Sequence, residues 1–480
     1  MDACARCIPE SRGVTITENA LGQTRAVSNP PAKRLRRARG SWLLGSDVWW
    51  LSIFVVAVTV GLWVRHGGWN LLFAGGTSTW LALGQLTGLL AALVALAGIV
   101  LTARPRLLER NVGLDRLLGW HRWVGTTAVF LVVLHSIIDT FAWAMSANVN
   151  VIQQTWSFMR NDSWMLAAVI GTVLFVVIGL TSWHRIKNLM SYETWYFVHL
   201  LGYLAVLLAF GHQLTLGADF VSDSLAMWWW VALALIALAI IVIDRFGDFV
   251  KSIVRGPFRI AHISHEAHGV GALHIMGPGI SKLRVSAGQY FILRVMNKKL
   301  WWQAHPFSLS AAPSTSGLRF TVKALGDDSA DILKAKPGTR VFLEGPYGVF
   351  TADAAHGEPV LLVGGGVGLA PLRAVIEDCQ PSQRPVLIAR VSKDEEFMHR
   401  AELEKLLAAR NGVLHLMAGP REWFGGGDPF HPRELQRLVP DIRQRHIYLC
   451  GPASMESAVE RSARKLKVPS GNIHIEAFGV

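Results

Sequence analysis

From Ser41 to Ile243 the chain carries six apolar stretches with few polar interruptions, at about 47–65, 78–102, 121–143, 164–183, 193–213 and 225–244. Each approaches the ~20 residues that a helix needs to cross a bilayer. After Phe246 the pattern shortens to alternating runs, such as Gly288 to Val295 and Leu318 to Lys323, set between Gly and Pro. Such runs predict an antiparallel barrel. From Pro359 onward, buried strands at 359–363, 386–391 and 446–449 alternate with helical segments, which predicts a parallel, doubly wound α/β domain. Residues 1–40 show no apolar period and are expected to be a disordered basic tail. The expected parts are therefore 1–40, a bundle over 41–247, a barrel over 248–352 and an α/β domain over 353–480.

Composition supports a membrane protein. Of 480 residues, 51% are apolar and 17% charged, with a mean hydropathy of +0.33; an ordinary soluble chain is about 25% charged. A single small module and a disordered or fibrous chain are excluded. Lys and Arg exceed Asp and Glu by 47 to 34. In so apolar a chain the excess reads as topology rather than as nucleic-acid binding, and no nucleic-acid partner is expected. The cations alternate between connections: the tail (Lys33, Arg34, Arg36, Arg37, Arg39), the 103–122 loop, the 184–192 loop (Arg185, Lys187) and the segment after 244 (Arg245, Lys251, Arg255). The opposite connections hold chiefly Arg65 and Arg160, and the last holds Asp219 and Asp223. The positive-inside rule then places both termini in the cytosol, in a multi-pass protein of the plasma (inner) membrane. Cys4, Cys7, Cys379 and Cys450 are too few for a disulfide framework, and the Cys4/Cys7 pair has no second pair to complete a zinc site.

Four histidines lie within the spans. His121 and His135 bracket the third, 14 residues apart, and His199 and His212 bracket the fifth, 13 apart. Both separations are about 20 Å along a helix. Two helices so equipped present an inner couple (His121, His199) and an outer couple (His135, His212). Imidazole on both faces of an iron macrocycle is six-coordinate haem, so two b-type haems stacked across the bilayer are expected. Thirteen residues turn about 140° away from the starting face, so the fifth span is expected to depart from ideal winding near Gly202 or Gly211. Phe130 and Tyr203 lie between the two levels as candidate fillers. His66 and His184, near span ends, read as helix-packing hydrogen-bonders.

Behind the spans, His305-Pro306-Phe307-Ser308-Leu309-Ser310 is preceded by Gly288-Gln289-Tyr290. It is followed by Lys323, Gly326-Asp327-Asp328-Ser329 and Gly345-Pro346-Tyr347-Gly348. The strand 360–363 runs into Gly364-Gly365-Gly366-Val367-Gly368-Leu369-Ala370-Pro371, and Cys450-Gly451-Pro452 with Met455 lies downstream. Glycines let a diphosphate approach the backbone, and a helix N-terminus supplies amides. Over about 41–480 the chain resembles the NADPH oxidase and ferric reductase family of transmembrane flavocytochromes, in a minimal, prokaryotic-type form. The resemblance implies a six-helix transmembrane haem bundle followed by a ferredoxin-reductase-like module, with a flavin barrel and a nucleotide domain.

The resemblance also implies roles. FAD is expected on His305, Pro306, Phe307, Ser308, Gln289, Tyr290, Lys323, Gly326 and Ser329. Phe307 and Ser308 would face the isoalloxazine, and His305 the diphosphate. Nicotinamide nucleotide is expected on Gly364, Gly365, Gly366, Gly368, Pro371, Gly451, Pro452 and Met455, with Cys450 near the hydride path. Arg390 and Lys393 follow the next strand as cations for a 2′-phosphate, which favours NADPH over NADH. Phe478 resembles the C-terminal aromatic that covers the flavin, with two extra residues behind it. The expected enzyme is a superoxide-forming NAD(P)H oxidase, taking electrons from NADPH through FAD and two haems to an acceptor beyond the membrane. A ferric-chelate reductase using the same chain, and an electron-carrier subunit serving a protein partner, are the alternatives. Oxygen is preferred as acceptor because the outer connections hold no clustered ferric ligands, and Arg65 or Arg160 could serve superoxide as it forms. His262, His265, His268 and His274 crowd one hairpin and read as a solvated loop rather than a metal site.

Overall fold

The computed structural model describes residues 34–35, 45–217, 223–247, 250, 257–420 and 428–476. The chain divides into two units, Ser41–Gly247 and Met1–Gly40 with Asp248–Val480.

The first unit is helical. Its helices are α1 (Gly45–Arg65), α2 (Gly68–Phe73), α3 (Gly76–Thr102), α4 (Arg106–Val112), α5 (Leu114–Ala147), α6 (Val151–Asn161), α7 (Ser163–Ser182), α8 (His184–Lys187), α9 (Tyr192–Leu216) and α10 (Ser224–Ile240). Six of these, α1, α3, α5, α7, α9 and α10, are long and apolar enough to cross a membrane. Their side chains are mostly exposed because lipid is their solvent. α3 packs on α5 and α7 on α9 through small residues, which let backbones approach; a Cβ on Gly171 of α7 would lie 3.0 Å from the Ala205 carbonyl oxygen of α9.

Two expectations for this unit are corrected. α9 is one unbroken α-helix through Gly202 and Gly211, and the π-helical turn falls at Ile241–Phe246 instead. Gly211 serves packing rather than winding: a Cβ there would sit 1.9 Å from the Trp164 ring. Phe130 is 64% exposed and fills no gap between the histidine levels, while Tyr203 bonds Thr102 through its hydroxyl (3.1 Å). The connection between α5 and α7 also contains α6, closed by a capping box in which Asn150 and Gln153 bond each other's backbone amides.

The second unit begins with a six-stranded antiparallel sheet, β1 (Phe258–Ala267), β2 (Val270–Met276), β3 (Tyr290–Val295), β4 (His305–Ser308), β5 (Leu318–Lys323) and β6 (Arg340–Tyr347), in the order β4-β3-β6-β1-β2-β5. A bridge between Leu309 and Phe320 joins its two ends and closes it into a barrel. Phe291 and Phe320 meet edge to face in the core, their rings 5.8 Å apart. One helix, α11 (Asp327–Leu333), follows β5.

Beyond it lies a parallel sheet, β7 (Val360–Gly365), β8 (Val386–Val391), β9 (Val413–Ala418), β10 (His446–Cys450) and β11 (Ile473–Ile475), in the order β11-β10-β7-β8-β9. Helices α12 (Leu369–Asp378), α13 (Arg400–Ala408), α14 (Pro432–Leu438) and α15 (Ala453–Lys465) accompany it. Leu361 and Val363 of β7 enter one core and Leu362 the other, which explains an apolar run without alternation.

The tail is not wholly loose. Leu35 is buried in the barrel core, and Arg34 bonds Asp378 (2.6 Å) and the Glu377 carbonyl (2.8 Å) at the C-terminal end of α12. A cation there complements the helix dipole. The remainder of 1–40, with Cys4 and Cys7, lies outside the described residues.

Candidate redox centres and nucleotide sites

In the membrane unit the four histidines meet as two couples. The rings of His121 and His199 lie 5.8 Å apart at 85°, and those of His135 and His212 lie 6.4 Å apart at 21°. Differing ring attitudes, rather than a break in α9, absorb the 13-residue phase. A metal bonded at about 2 Å to one nitrogen of each facing imidazole would hold ring centroids about 6 Å apart. Both couples therefore fit an iron between them.

The second nitrogens are also arranged. His121 Nδ1 bonds the Gly98 carbonyl (3.1 Å) and His135 Nδ1 the Gly84 carbonyl (2.9 Å). Gly84 and Gly98 are 14 residues apart on antiparallel α3, matching the 14 between the two histidines of α5. These acceptors require Nδ1 to carry the proton, leaving Nε2 free as the ligating atom. His199 Nδ1 meets the Ser182 hydroxyl at 3.2 Å, whereas the buried His212 Nδ1 has no partner of hydrogen-bonding geometry. α3 must come close for these bonds: a Cβ on Gly88 would lie 2.8 Å from the His135 ring. Sequence reasoning named the four histidines and missed Gly84, Gly88, Gly98 and Ser182 beside them.

A cavity of about 800 Å³ extends from His135 and His212 to the helix ends at Asp162 and Gly217. Its lining includes Gln85, Gln213 and Asp139, but neither Arg65 nor Arg160. The expectation of a cation there is corrected: Arg65 lies 3.5 Å from Asp223, which also holds His66 Nε2 at 2.8 Å. Asp219 lies outside the described residues.

In the reductase unit, the flavin candidates converge on the edge of the barrel. Ser308 and Tyr290 are paired across β4 and β3, both buried, and Tyr290 leans on Tyr347 (5.8 Å). Gln289 is a brace, accepting from Ser286 N (2.9 Å) and donating to the Gly348 carbonyl (3.0 Å). His305 stacks on Phe307 at 6.1 Å, and burial lowers its pKa, opposed by Asp328. Lys323 is exposed at the end of β5. Ser329 Oγ accepts from the Leu325 and Gly326 amides (3.0 and 3.1 Å), so it caps α11.

The glycine run divides its labour. Gly366 has φ +55° and opens onto free space, a conformation that L side chains rarely adopt beside room for a ligand. Gly364 and Gly368 are packing positions instead. A Cβ on Gly364 would lie 2.4 Å from Leu372, and one on Gly368 2.2 Å from the Cys450 carbonyl oxygen. Gly365 approaches the Arg390 carbonyl (2.8 Å from a Cβ), and Pro371 and Met455 are buried. Pro452 caps α15, while Gly451 N donates to Glu456 (3.0 Å). Cys450 is fully buried, its Sγ donating to the Glu476 carbonyl (3.3 Å), and burial pushes its thiol far above the ordinary range. Arg390 donates to the Met417 (3.1 Å) and Gly419 (2.6 Å) carbonyls, leaving Lys393 as the exposed cation of the pair. Phe478 lies outside the described residues. His262 and His274 stack at 4.0 Å, and among the described residues no three metal-binding side chains converge.

The comparisons agree with this order of parts. Residues 87–210 match the ferric reductase like transmembrane component, 260–351 an FAD-binding domain and 362–461 an oxidoreductase NAD-binding domain. Dual oxidase 1 of Homo sapiens is 22% identical over 448 residues, covering 75% of this chain and 27% of that protein. Ferric reduction oxidase 5 of Arabidopsis thaliana is 25% identical over 266 residues, covering 54% and 34%. The flavohemoprotein of Deinococcus radiodurans is 28% identical over 247 residues, covering 46% and 59%. The chain thus spans less than two thirds of the length of each of these curated relatives. The flavohem-like FAD/NAD binding domain of the Vibrio cholerae nitric oxide dioxygenase superposes with a TM-score of 0.38 at 20% identity, covering 47% and 99%.

A six-span membrane domain followed by flavin- and nicotinamide-binding domains defines a membrane-bound, NAD(P)H-dependent flavin oxidoreductase. Within that class, the chain is similar to the dual oxidase and the ferric reduction oxidase and carries the ferric reductase like transmembrane component between residues 87 and 210.

Proposed function

We propose that this protein carries electrons from cytosolic NADPH across the plasma (inner) membrane and reduces dioxygen to superoxide on the far side. The observation that carries the reading is the pair of histidine couples, spaced for an axial metal and with ring protons directed by α3 carbonyls. His121 with His199, and His135 with His212, would hold two b-type haems, which supply one-electron carriers at two depths. FAD in the barrel supplies the conversion from a two-electron hydride donor to one-electron transfer.

This chain's own residues do the rest. The carbonyls of Gly98 and Gly84 would orient two ligands by fixing the proton on Nδ1. Ser308 and Phe307 shape the flavin edge, and His305, neutral through burial, serves the diphosphate as a hydrogen-bond donor rather than as a charge. Gly366 admits the nicotinamide nucleotide's diphosphate, and Lys393 offers a cation for a 2′-phosphate. Cys450, neutral and buried, limits the room beside the hydride path and is no nucleophile.

The test is NADPH-driven reduction of a reporter dye with and without superoxide dismutase, beside an anaerobic ferric-chelate assay. Dismutase-sensitive reduction is expected. Insensitivity with fast ferric turnover would move the assignment to a ferric reductase.

A further inference from the structure

Where the nucleotide domain meets the flavin barrel, one imidazole crosses from the first to the second. His399 stands at the N-terminal end of α13 in left-handed backbone (φ +57°), with its side chain fully buried. A residue other than glycine keeps that conformation only where its surroundings over-determine it. The ring's partners come from the barrel. Arg319 Nη2 lies 3.0 Å from His399 Nδ1 and Thr321 Oγ1 lies 3.3 Å from Nε2, both on β5, while Glu266 Oε2 of β1 lies 3.1 Å from Nδ1. A guanidinium only donates, so Nδ1 accepts from Arg319 and the ring proton sits on Nε2, facing the Thr321 hydroxyl. The charged groups around the ring are Arg319, Glu266, Glu402 and Arg373, from β5, β1, α13 and α12, and burial with Arg319 lowers its pKa to about 4. The ring is a neutral plug.

The segment that carries the plug starts at the C-terminal end of β8, where the adenosine end of a nucleotide is expected. Residues 392–396 are exposed, and Phe397, Met398 and His399 are buried. Phe397 joins the core of the nucleotide domain, so the chain passes from one core to the other within two residues. Glu396 N donates to the Lys393 carbonyl and Phe397 N to the Asp394 carbonyl, each at 3.1 Å. Arg400 closes the loop by donating to Asp394 (2.8 Å). Lys393, the exposed cation, thus sits on a short closed loop whose base is His399. On the other side, Lys323 lies two residues beyond Thr321 on the same face of β5, among the flavin candidates.

We propose that His399 is a positioning residue for the nucleotide: by plugging the loop into β5 it fixes Lys393, and with it the adenosine end of NADPH, against the flavin barrel. The inference rests on the NADPH reading above and deepens it. His399 acts through the loop rather than by contact with the nucleotide, and Thr321 and Arg319 serve it from the barrel side. Without the plug the loop must be ordered by the nucleotide itself, which weakens binding. The hydride step, at the opposite end of the nucleotide, is spared.

The experiment uses the full-length protein. His399→Leu removes both ring bonds, whereas the amide of His399→Gln presents an acceptor and a donor at the spacing of the two ring nitrogens. Equilibrium binding of 2′-phospho-AMP, the adenosine end of NADPH alone, needs no turnover. His399→Leu should weaken it about tenfold, the worth of one to two hydrogen bonds, and His399→Gln should restore it to within about twofold. Lys393→Ala should weaken binding by itself and add little to His399→Leu, because a freed loop has already withdrawn the cation. Unchanged binding in His399→Leu would overturn the proposal, as would full additivity of the two changes.

A second readout separates positioning from general damage. Flavin bleaching under argon is followed with NADPH and with reduced nicotinamide mononucleotide, which lacks the adenosine end. His399→Leu should need about tenfold more NADPH for half the limiting rate, with that limiting rate unchanged, and should match the unsubstituted protein with the mononucleotide. Thr321→Val, which removes one bond from the barrel side, should show the same pattern at smaller size. Equal loss with both donors in these variants would mark a general structural role and overturn the proposal. Absence of bleaching by NADPH in the unsubstituted protein would instead remove the NADPH reading on which the inference rests.

Discussion

The four histidines are visible in sequence because two pairs of imidazoles recur at nearly one separation, 14 and 13 residues, within apolar spans. Their supports are not visible, because backbone carbonyls carry no side-chain signature and nothing in a glycine says which neighbour it admits. Gly88 and Gly98 separate the two cases. A methyl on Gly88 would press on the His135 ring at 2.8 Å, whereas one on Gly98 meets Val124 at 3.6 Å and His121 at 4.0 Å. Gly88→Ala should therefore disturb the outer couple at a cost of about 1–3 kcal/mol, and Gly98→Ala should be tolerated. Haem content and the ferric spectrum of each variant check this, and equal loss at both positions would refute the steric account. Cys450 illustrates the opposite limit. Its place in the motif is legible, but its chemistry depends on burial, which only the fold reveals. A fully buried thiol held far above its ordinary pKa should resist alkylation at pH 8 in the native protein and react after unfolding, read by peptide mass.

Among the elements, the six spans were legible to within a few residues because apolar length is a strong signal. α6 was not, since an amphipathic helix between two spans leaves no long apolar run. β9 and β11 were also missed: β9 is interrupted by His415, and β11 has three residues. The joint between the barrel and the nucleotide domain lies beyond sequence altogether. There Arg319 of β5 bonds Glu266 of β1 (2.8 Å) and Glu402 of α13 (2.9 Å), and His399 packs among them. Burial lowers the His399 pKa to about 4 from 6.5, with Arg319 adding to the shift. Glu402 is pushed up by burial but held at about 2, against 4.5, by Arg319 and Arg373. The unfolded chain thus takes up protons that the folded joint refuses. The stability carried by His399 is complete above about pH 6.5 and is lost as pH falls toward 4, and that of Glu402 follows from about 4.5 downward. Flavin-fluorescence melts should show a midpoint falling from pH 7 to 5, with a shallower slope in His399→Gln. An unchanged slope in that variant would place the acid sensitivity elsewhere.

For the whole molecule, the order of parts was readable because each has its own hydrophobic period: continuous in the spans, alternating in the barrel, blocked in the α/β domain. The docking of Arg34 and Leu35 was not readable, since a basic segment without a period gives no sign of a partner. Leu35→Ala should lower the melting temperature of the flavin unit, measured by the same fluorescence. The central claim is that two haems, held by four histidines, receive electrons from NADPH through FAD. It is tested by an optical titration of the purified protein with NADPH under argon, with haem counted as the pyridine haemochrome. The account predicts two b-type haems per chain, both reduced, with inner-couple variants (His121→Ala or His199→Ala) reducing neither and outer-couple variants reducing the inner one. One haem per chain, or flavin bleaching with no haem reduction in the unsubstituted protein, would contradict it.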